Sequence, residues 1–523
     1  MILTTSCNRP GLIRGPARSA CRPQPSVSAV SPARMFCPSK HASSRAVELS
    51  QQCNTSAPTA IAMKRGSLSI CSAFSGALPG DDDSTPLIAA LRVMDPASVA
   101  DTLWAKMLSR GADLTDFSAV AHVINEDISR FSPSALVAVL SAMAEAGYVD
   151  PPLLVVVAEE LRKPESMAAL SSVELTTLTW SLAMLGAGDL EELLGAVARH
   201  ASRLILDFVP SDLARLLGGL GELRHRNQLL LEKAANRLSV SLIPMVQLTC
   251  EDVAKVVFAF ARLDAYDRDL FDAAAKEIIR TTQKGVSPQA AAQIAWAYAQ
   301  VRPQDAPHRV VQDKPLLYIQ AEVMRDHVKQ AHATTSLQHE ELSDSALPPR
   351  ILINFLLSYA NLSHQVAELF SEAGLYLADN IRKCSSQDLV IAAYAYSRVK
   401  HSSPKLMQAI GDVAIEVLPQ LDDEDLVYLA SAGPATQTYH EGLMQHILGR
   451  ILHATESSPE PTVDATVLLD LARVVASVQH HNPEYYGPTL DQLLLAVNKT
   501  YNATDIESMS QHCGATDING LQK

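Results

Sequence analysis

The sequence predicts an all-α protein, a right-handed-type superhelical solenoid of about ten stacked helical hairpins. Three observations carry this expectation. An Ala-rich phrase returns about every 38 residues. Each copy places its apolar residues at helical spacing, and no stretch of any length alternates as a strand does. A period of this size marks a stacked-repeat architecture, in which a unit buries its apolar face only against its neighbours.

The clearest copies are Asp252–Leu263, Gln289–Val301 and Asp388–Val399. Weaker copies begin at Ser134, Glu174, Asp212, Arg350, Asp425 and Asp464, with successive spacings of 40, 38, 40, 37, 61, 38, 37 and 39 residues. Each unit reads as two amphipathic helices. The first carries a stripe such as Val253, Val256, Val257, Phe260 and Leu263. A turn such as Asp264-Ala265-Tyr266-Asp267 follows, and the second helix buries Leu270, Phe271, Ala274 and Ile278. Cap signals precede the first helices at Ser211-Asp212, Thr249-Cys250-Glu251, Ser287-Pro288, Ser386-Gln387-Asp388 and Thr462-Val463-Asp464. Oxygens at these places accept the orphan N–H groups and complement the positive helix end. Within the 61-residue interval the surplus falls in Arg302–Lys314 and His332–Pro349, read as loop insertions.

The expected division is a disordered or cleaved head over 1–86, a repeat array over 87–500 with an insertion within 302–349, and a polar tail over 501–523. Helical patterning begins near Pro96. Residues 1–80 hold nine Lys or Arg and one acid, Glu48, whereas the whole chain is −14, which leaves −22 for residues 81–523. A basic, acid-poor head rich in Ser and Pro on an acidic body reads as an organellar transit peptide. Pro10, Pro16, Pro23 and Pro25 would interrupt a mitochondrial-type amphipathic helix, which keeps a plastid address open. Five of the eight cysteines lie in that head. Cys250, Cys384 and Cys513 form neither a disulfide framework nor a zinc pattern, so a reducing compartment is implied. No apolar run approaches the ~18–20 residues of a membrane span.

Catalytic and metal signatures are wanting. Gly218-Gly219-Leu220-Gly221 lacks the preceding strand and the following Lys-Ser/Thr of a phosphate loop, and helix packing explains it better. His440-Glu441 with His446 has the wrong spacing for a zinc helix, and His480-His481 reads as a solvated turn. Trp180, Phe258, Trp296 and Tyr394 recur at one helical position and read as core. No enzyme, no metal and no cofactor is expected.

Aligning the first helices separates a second stripe at their fourth, eighth and eleventh positions. The triplets are Thr177-Ser181-Met184, Arg215-Gly219-Glu222, Lys255-Ala259-Arg262, Gln293-Ala297-Gln300, Asn354-Ser358-Asn361 and Ile391-Ala395-Arg398. The middle residue is always small, and the outer two are mostly polar and vary. Two readings stand side by side. In one, the small residues let first helices approach while the variable residues contact successive units of a long ligand, as in repeats that read one base each. In the other, polar residues only cover a solvated face. Residues 199–284 carry thirteen Lys or Arg against eleven acids, and residues 401–523 five against sixteen. Phosphate binding needs positive charge, so a nucleic acid would engage the middle units.

The phrases Ala-Trp-Ala-Tyr-Ala-Gln-Val (295–301), Ala-Phe-Ala-Arg-Leu (259–263), Ala-Tyr-Ser-Arg-Val (395–399) and Trp-Ser-Leu-Ala-Met-Leu-Gly (180–186) resemble the repeats of octotricopeptide, FAST-kinase-like and RAP-containing organellar proteins. The resemblance covers about residues 94–500. It implies RNA binding in a mitochondrion or plastid, in RNA processing, stability, translation or ribosome assembly. The Pro-Pro-Pro-Glu-Trp phrase of typical octotricopeptide repeats is missing, and no RAP domain is visible after Thr500. The leading expectation is a non-catalytic mitochondrial factor, with a plastid as the alternative. It would bind single-stranded RNA (organellar mRNA or rRNA) and not DNA, through Arg215, Lys255, Arg262, Gln293, Gln300, Asn354, Asn361 and Arg398. The alternative is a protein-interaction scaffold within an organellar complex.

Overall fold

The computed structural model describes residues 85–108, 114–240, 247–282, 285–301, 314–337, 347–457 and 463–500. The head, the stretches 302–313 and 338–346, Cys513 and the tail 501–523 lie outside them. Every regular element among the described residues is helical.

A lone helix α1 (Thr85–Val93) leads, earlier than the patterning suggests. Hairpins follow: α2 (Pro96–Leu108) with α3 (Leu114–Glu126), and α4 (Pro133–Ala146) with α5 (Pro151–Leu161). After the short α6 (Pro164–Ala168) come α7 (Ser172–Leu185) with α8 (Glu191–Arg203), and α9 (Pro210–Glu222) with α10 (Gln228–Val240). Next are α11 (Cys250–Arg262) with α12 (Arg268–Thr281), and α13 (Pro288–Gln300) with α14 (Lys314–Leu337). Then come α15 (Pro349–Asn361) with α16 (Ala367–Asn380), and α17 (Ser386–Val399) with α18 (Pro404–Val417). The last are α19 (Asp423–Thr436) with α20 (Glu441–Ser457), and α21 (Ala465–Val478) with α22 (Pro483–Thr500). Each first helix packs on the next first helix, most closely along α7–α9–α11–α13, and second helices pack on second helices. The result is a stacked helical array of two rows.

Short-range chemistry defines each hairpin. Ser132, Ser171, Thr249, Ser287, Ser385, Asp422 and Asp464 cap first helices through side-chain oxygens, with full capping boxes at Ser171/Glu174, Thr249/Asp252 and Ser385/Asp388. Two of the expected caps shift. The cap expected at Ser211-Asp212 falls on Val209, which offers no side-chain oxygen, because Pro210 takes the first helical position. The cap expected at Ser386 is Ser385. The residue before each cap is apolar and buried in most hairpins, as at Phe131, Leu170, Phe208, Leu248, Val286, Leu347, Leu421 and Val463. The fourth helical residue is buried as well, as at Leu136, Leu175, Leu213, Val253, Leu352, Leu389, Leu426 and Leu468. These are the staple positions that set how a chain enters a helix.

The opposite ends of the first helices share one stop. Gly147, Gly186, Arg224, Asp264, Ser363, Lys400 and Gln437 each follow a first helix with positive φ. The N–H of the residue after each one returns to the last helical turn, as in Tyr148 to Met143 O and His401 to Tyr396 O. This is the Schellman closure, which glycine adopts without strain and other residues do not.

Second helices then latch onto the carbonyl two residues before their own first helix. His327 Nε2 reaches Val286 O at 2.8 Å, Tyr376 Oη donates to Leu347 O at 2.6 Å and Arg450 Nη2 to Leu421 O at 2.8 Å. First helices latch backwards. Tyr298, Tyr359 and Tyr396, at one position of three first helices, donate to Phe271 O, Leu317 O and Phe370 O of the preceding second helices. Part of the stretch read as inserted, 332–337, is helical and prolongs α14.

Candidate ligand-binding face

The first-helix row holds the sequence-derived candidates. Its helices approach so closely that the middle members of the triplets are not surface. Ser181, Gly219, Ala259, Ala297, Ser358 and Ala395 are all buried. A Cβ built on Gly221 would lie 2.9 Å from Ala259 Cα, and one on Gly219 would lie 2.9 Å from Thr179 Cγ2 and 3.2 Å from Thr179 O. The Gly-rich run is therefore a helix–helix contact. The small residues do allow the helices to approach, but the stripe they interrupt is a seam rather than an open face.

Position along the helix decides which polar side chains still meet solvent. The sixth residue of each first helix projects outward in the middle of the array and inward later. Arg215 is exposed, and Thr177, Lys255 and Gln293 are half-buried, whereas Asn354 is 6 % exposed and Ile391 is buried. Thr177, Arg215, Lys255 and Gln293 thus form one row on four successive helices. Lys255 Nζ stands 3.6 Å from Asp252 Oδ1 on its own helix. Gln300 and Asn361, near the helix ends, are half-buried.

Arg262 and Arg398 occupy the same place near the ends of α11 and α17. Each guanidinium lies over the ring four residues earlier, at 5.5 Å from Phe258 and 6.0 Å from Tyr394. Their partners differ. Arg398 Nε donates to Ala360 O on α15 at 3.0 Å and Nη1 to Tyr394 Oη at 2.9 Å. Arg262 has a side chain only 5 % exposed, and its Nη2 faces Glu222 Oε2 on α9 at 3.6 Å. Its Nε and Nη1 are buried without a hydrogen-bond partner. Burial pushes the Arg262 pKa down, Glu222 opposes this, and nearby Arg224 adds to it. Arg262 is therefore not a solvent-facing contact, whereas Arg398 stays exposed while its guanidinium donates to Ala360 O and Tyr394 Oη.

The recurring aromatic position is core in part. Phe258 and Trp296 are buried, their rings tilted at 50° with centroids 5.0 Å apart, whereas Trp180 and Tyr394 are half-buried. Sequence reasoning did not single out Arg224, which is exposed in its left-handed turn. The signal was present: a non-glycine residue at the turn position that holds glycine after α4 and α7.

Elsewhere the chemistry is structural. His440 accepts the Leu443 N–H through Nδ1 and places Nε2 3.1 Å from Asp412, while His446 Nδ1 meets Gly442 O at 2.7 Å. Both histidines are spent on helix ends and neighbours. Among the described residues no group of three or more His, Cys, Asp or Glu is placed to hold a metal. Also among them, no helix is long and apolar enough to cross a membrane. Burial pushes the thiols up, Cys250 to about 11 and Cys384 to about 12, away from nucleophilic use at neutral pH. No protein-family model matches this chain, and no curated protein matches it; what stands is an all-helical protein of stacked helices consistent with a helical repeat.

Proposed function

We propose that this chain is a non-catalytic organellar RNA-binding factor, mitochondrial or else plastid, that holds single-stranded RNA along its middle first helices. The array is then a regular repeat with a period near 38 residues, coiled as a right-handed superhelix. The observation that carries the reading is the row Thr177, Arg215, Lys255 and Gln293. These side chains stand at one position of four helices that pack directly on one another, each at least partly open to solvent and each different. Such a row suits a linear polymer whose units are met one helix at a time. Two of the four are basic, in the stretch with most positive charge.

The test is crosslinking to RNA with the variant Arg215→Glu/Lys255→Glu. Arg262 is left out of it because its burial mixes folding with binding. The expected result is about a tenfold loss of crosslinked RNA with a shallower salt dependence. Unchanged recovery from a folded variant removes the reading.

One observation favours the alternative of a protein scaffold. Residues 81–523 are −22, and the C-terminal hairpins hold few cations, which suits a basic protein better than a phosphate backbone. Partners that stay bound after nuclease treatment, with no RNA crosslinked to residues 210–300, would support that alternative instead.

A further inference from the structure

We propose that Arg224 and Arg262 form a phosphate-binding site at the C-terminal ends of α9 and α11, with Glu222 as its internal counter-charge. This deepens the RNA reading and rests on it for the identity of the phosphate, though not for the anion chemistry.

Two observations converge. First, the Arg262 side chain is more than nine-tenths buried, yet only Nη2 has an acidic neighbour, and that at 3.6 Å, while Nε and Nη1 have no acceptor. A guanidinium presents five donors in a fixed fork suited to phosphate oxygens. Second, Arg224 is exposed, makes no ion pair among the described residues and stands two residues beyond Glu222, the carboxylate that faces Arg262.

The counterpart at α17 shows the contrast. Arg398, over an equivalent ring, has acceptors for both Nε and Nη1. Arg262 is the one of the pair with donors to spare. Arg215 and Lys255 lie farther back on the same two helices, so a polyanion crossing α9 and α11 would meet positive charge at both levels. Phosphate binding draws the Arg262 fork toward solvent beside Arg224, with no covalent change.

The experiment uses the full chain with two probes. Inorganic phosphate is assayed by thermal shift against sodium chloride of equal ionic strength. A uridine 20-mer is titrated by fluorescence anisotropy between 50 and 200 mM salt, about the range over which phosphate contacts are salt-sensitive. The variants are Arg224→Gly, Arg262→Met, their combination, and Arg382→Met just past the end of α16, matched in charge to each single variant. Arg224→Gly relieves a strained turn and Arg262→Met removes an under-partnered buried charge, so both retain the fold. Their melting curves verify it.

Phosphate is expected to raise the melting temperature of the wild type and of Arg382→Met but not of the double variant. RNA affinity should fall about tenfold in the double variant, with the log–log salt slope smaller by about 0.7 for one lost phosphate contact. Equal phosphate shifts in wild type and double variant overturn the site. RNA bound equally by both also overturns it and leaves the RNA reading standing. A phosphate shift lost in the double variant, with no RNA bound by the wild type, keeps the anion site and removes the RNA reading.

Discussion

The two rows of helices are held together by different physics. First helices meet through small residues and buried apolar surface. Gly221 sits against the Ala259 backbone, and Gly219 against Thr179. Second helices also bury apolar side chains such as Leu317, Met324, Phe370, Leu377, Leu406 and Ile410, but they add a rim of ion pairs between neighbours. Arg92 pairs with Glu126, Arg162 with Glu192, Arg325 with Glu368 and Arg382 with Glu416, while Lys329 pairs with Glu372 at 3.2 Å and Lys405 with Asp379 at 2.7 Å. Their tight glycines, Gly374 and Gly411, face the turn side chains Ser403 and His440 rather than a neighbouring helix backbone. The comparison teaches where variation is tolerated. Exposed ion pairs contribute little and can be exchanged, whereas a backbone-to-backbone seam cannot widen at one point without moving its neighbours.

The sharpest way to break this contrast is glycine replacement. Gly221→Ala should destabilise by about 1–3 kcal/mol, because the new methyl meets a backbone that cannot rotate away. Gly449→Ala on α20, with nothing within 4 Å, should instead stabilise by about 0.5–1 kcal/mol through helix propensity. Urea midpoints of the two variants check both signs, and a gain at Gly221 would show that the seam is loose.

A smaller effect separates the paired arginines. Arg398→Met should lose about 1 kcal/mol, because Ala360 O and Tyr394 Oη each give up a donor. Arg262→Met should be neutral or stabilising, since an under-partnered buried charge gives way to an apolar side chain. Equal losses at both positions would mean that Arg262 has a stronger partner than Glu222.

Lys400→Gly and Gln437→Gly should each add up to about 1 kcal/mol, since both residues hold the left-handed conformation with φ 53° and 57°. Thermal midpoints below wild type would assign those side chains a stabilising role of their own. On the second row, Lys329→Ala should change stability by less than about 0.5 kcal/mol, and high salt should erase even that.

The thiols add an effect confined to high pH. Their folded pKa values lie above the unfolded one, so the folded state keeps its protons longer. Stability is whole below pH 9 and is lost as pH climbs from 9 toward 11 and 12. Iodoacetamide should label Cys250 and Cys384 slowly in the folded protein and fast in urea.

Much of the array was legible because its rules are local. Val253, Val256, Val257, Phe260 and Leu263 alternate at helical spacing, and all are buried. Thr249 and Ser287 cap where hydroxyls precede an apolar stripe. The repeated stop was also written in the chain, but as Gly, Arg, Asp, Ser, Lys and Gln in turn, so residue type concealed what backbone geometry shares. The face was less legible. A fourth–eighth–eleventh pattern says which residues share a side of one helix, not what covers that side. Asn354 and Arg215 hold equivalent positions, yet one is buried and the other exposed.

The sequence by itself determined that this protein is all helix, that its helices come in pairs, and that their apolar stripes must be closed by neighbouring units. Caps, staples and spacing act within a few residues, and so they survive reading in one dimension. Only the tertiary structure decided that the small-residue stripe is a seam and that Arg398 is spent on α15. It also decided that Arg262 lies buried beside Arg224 with donors unspent. Those outcomes depend on how near one helix lies to the next, a distance set by packing between residues about 38 positions apart.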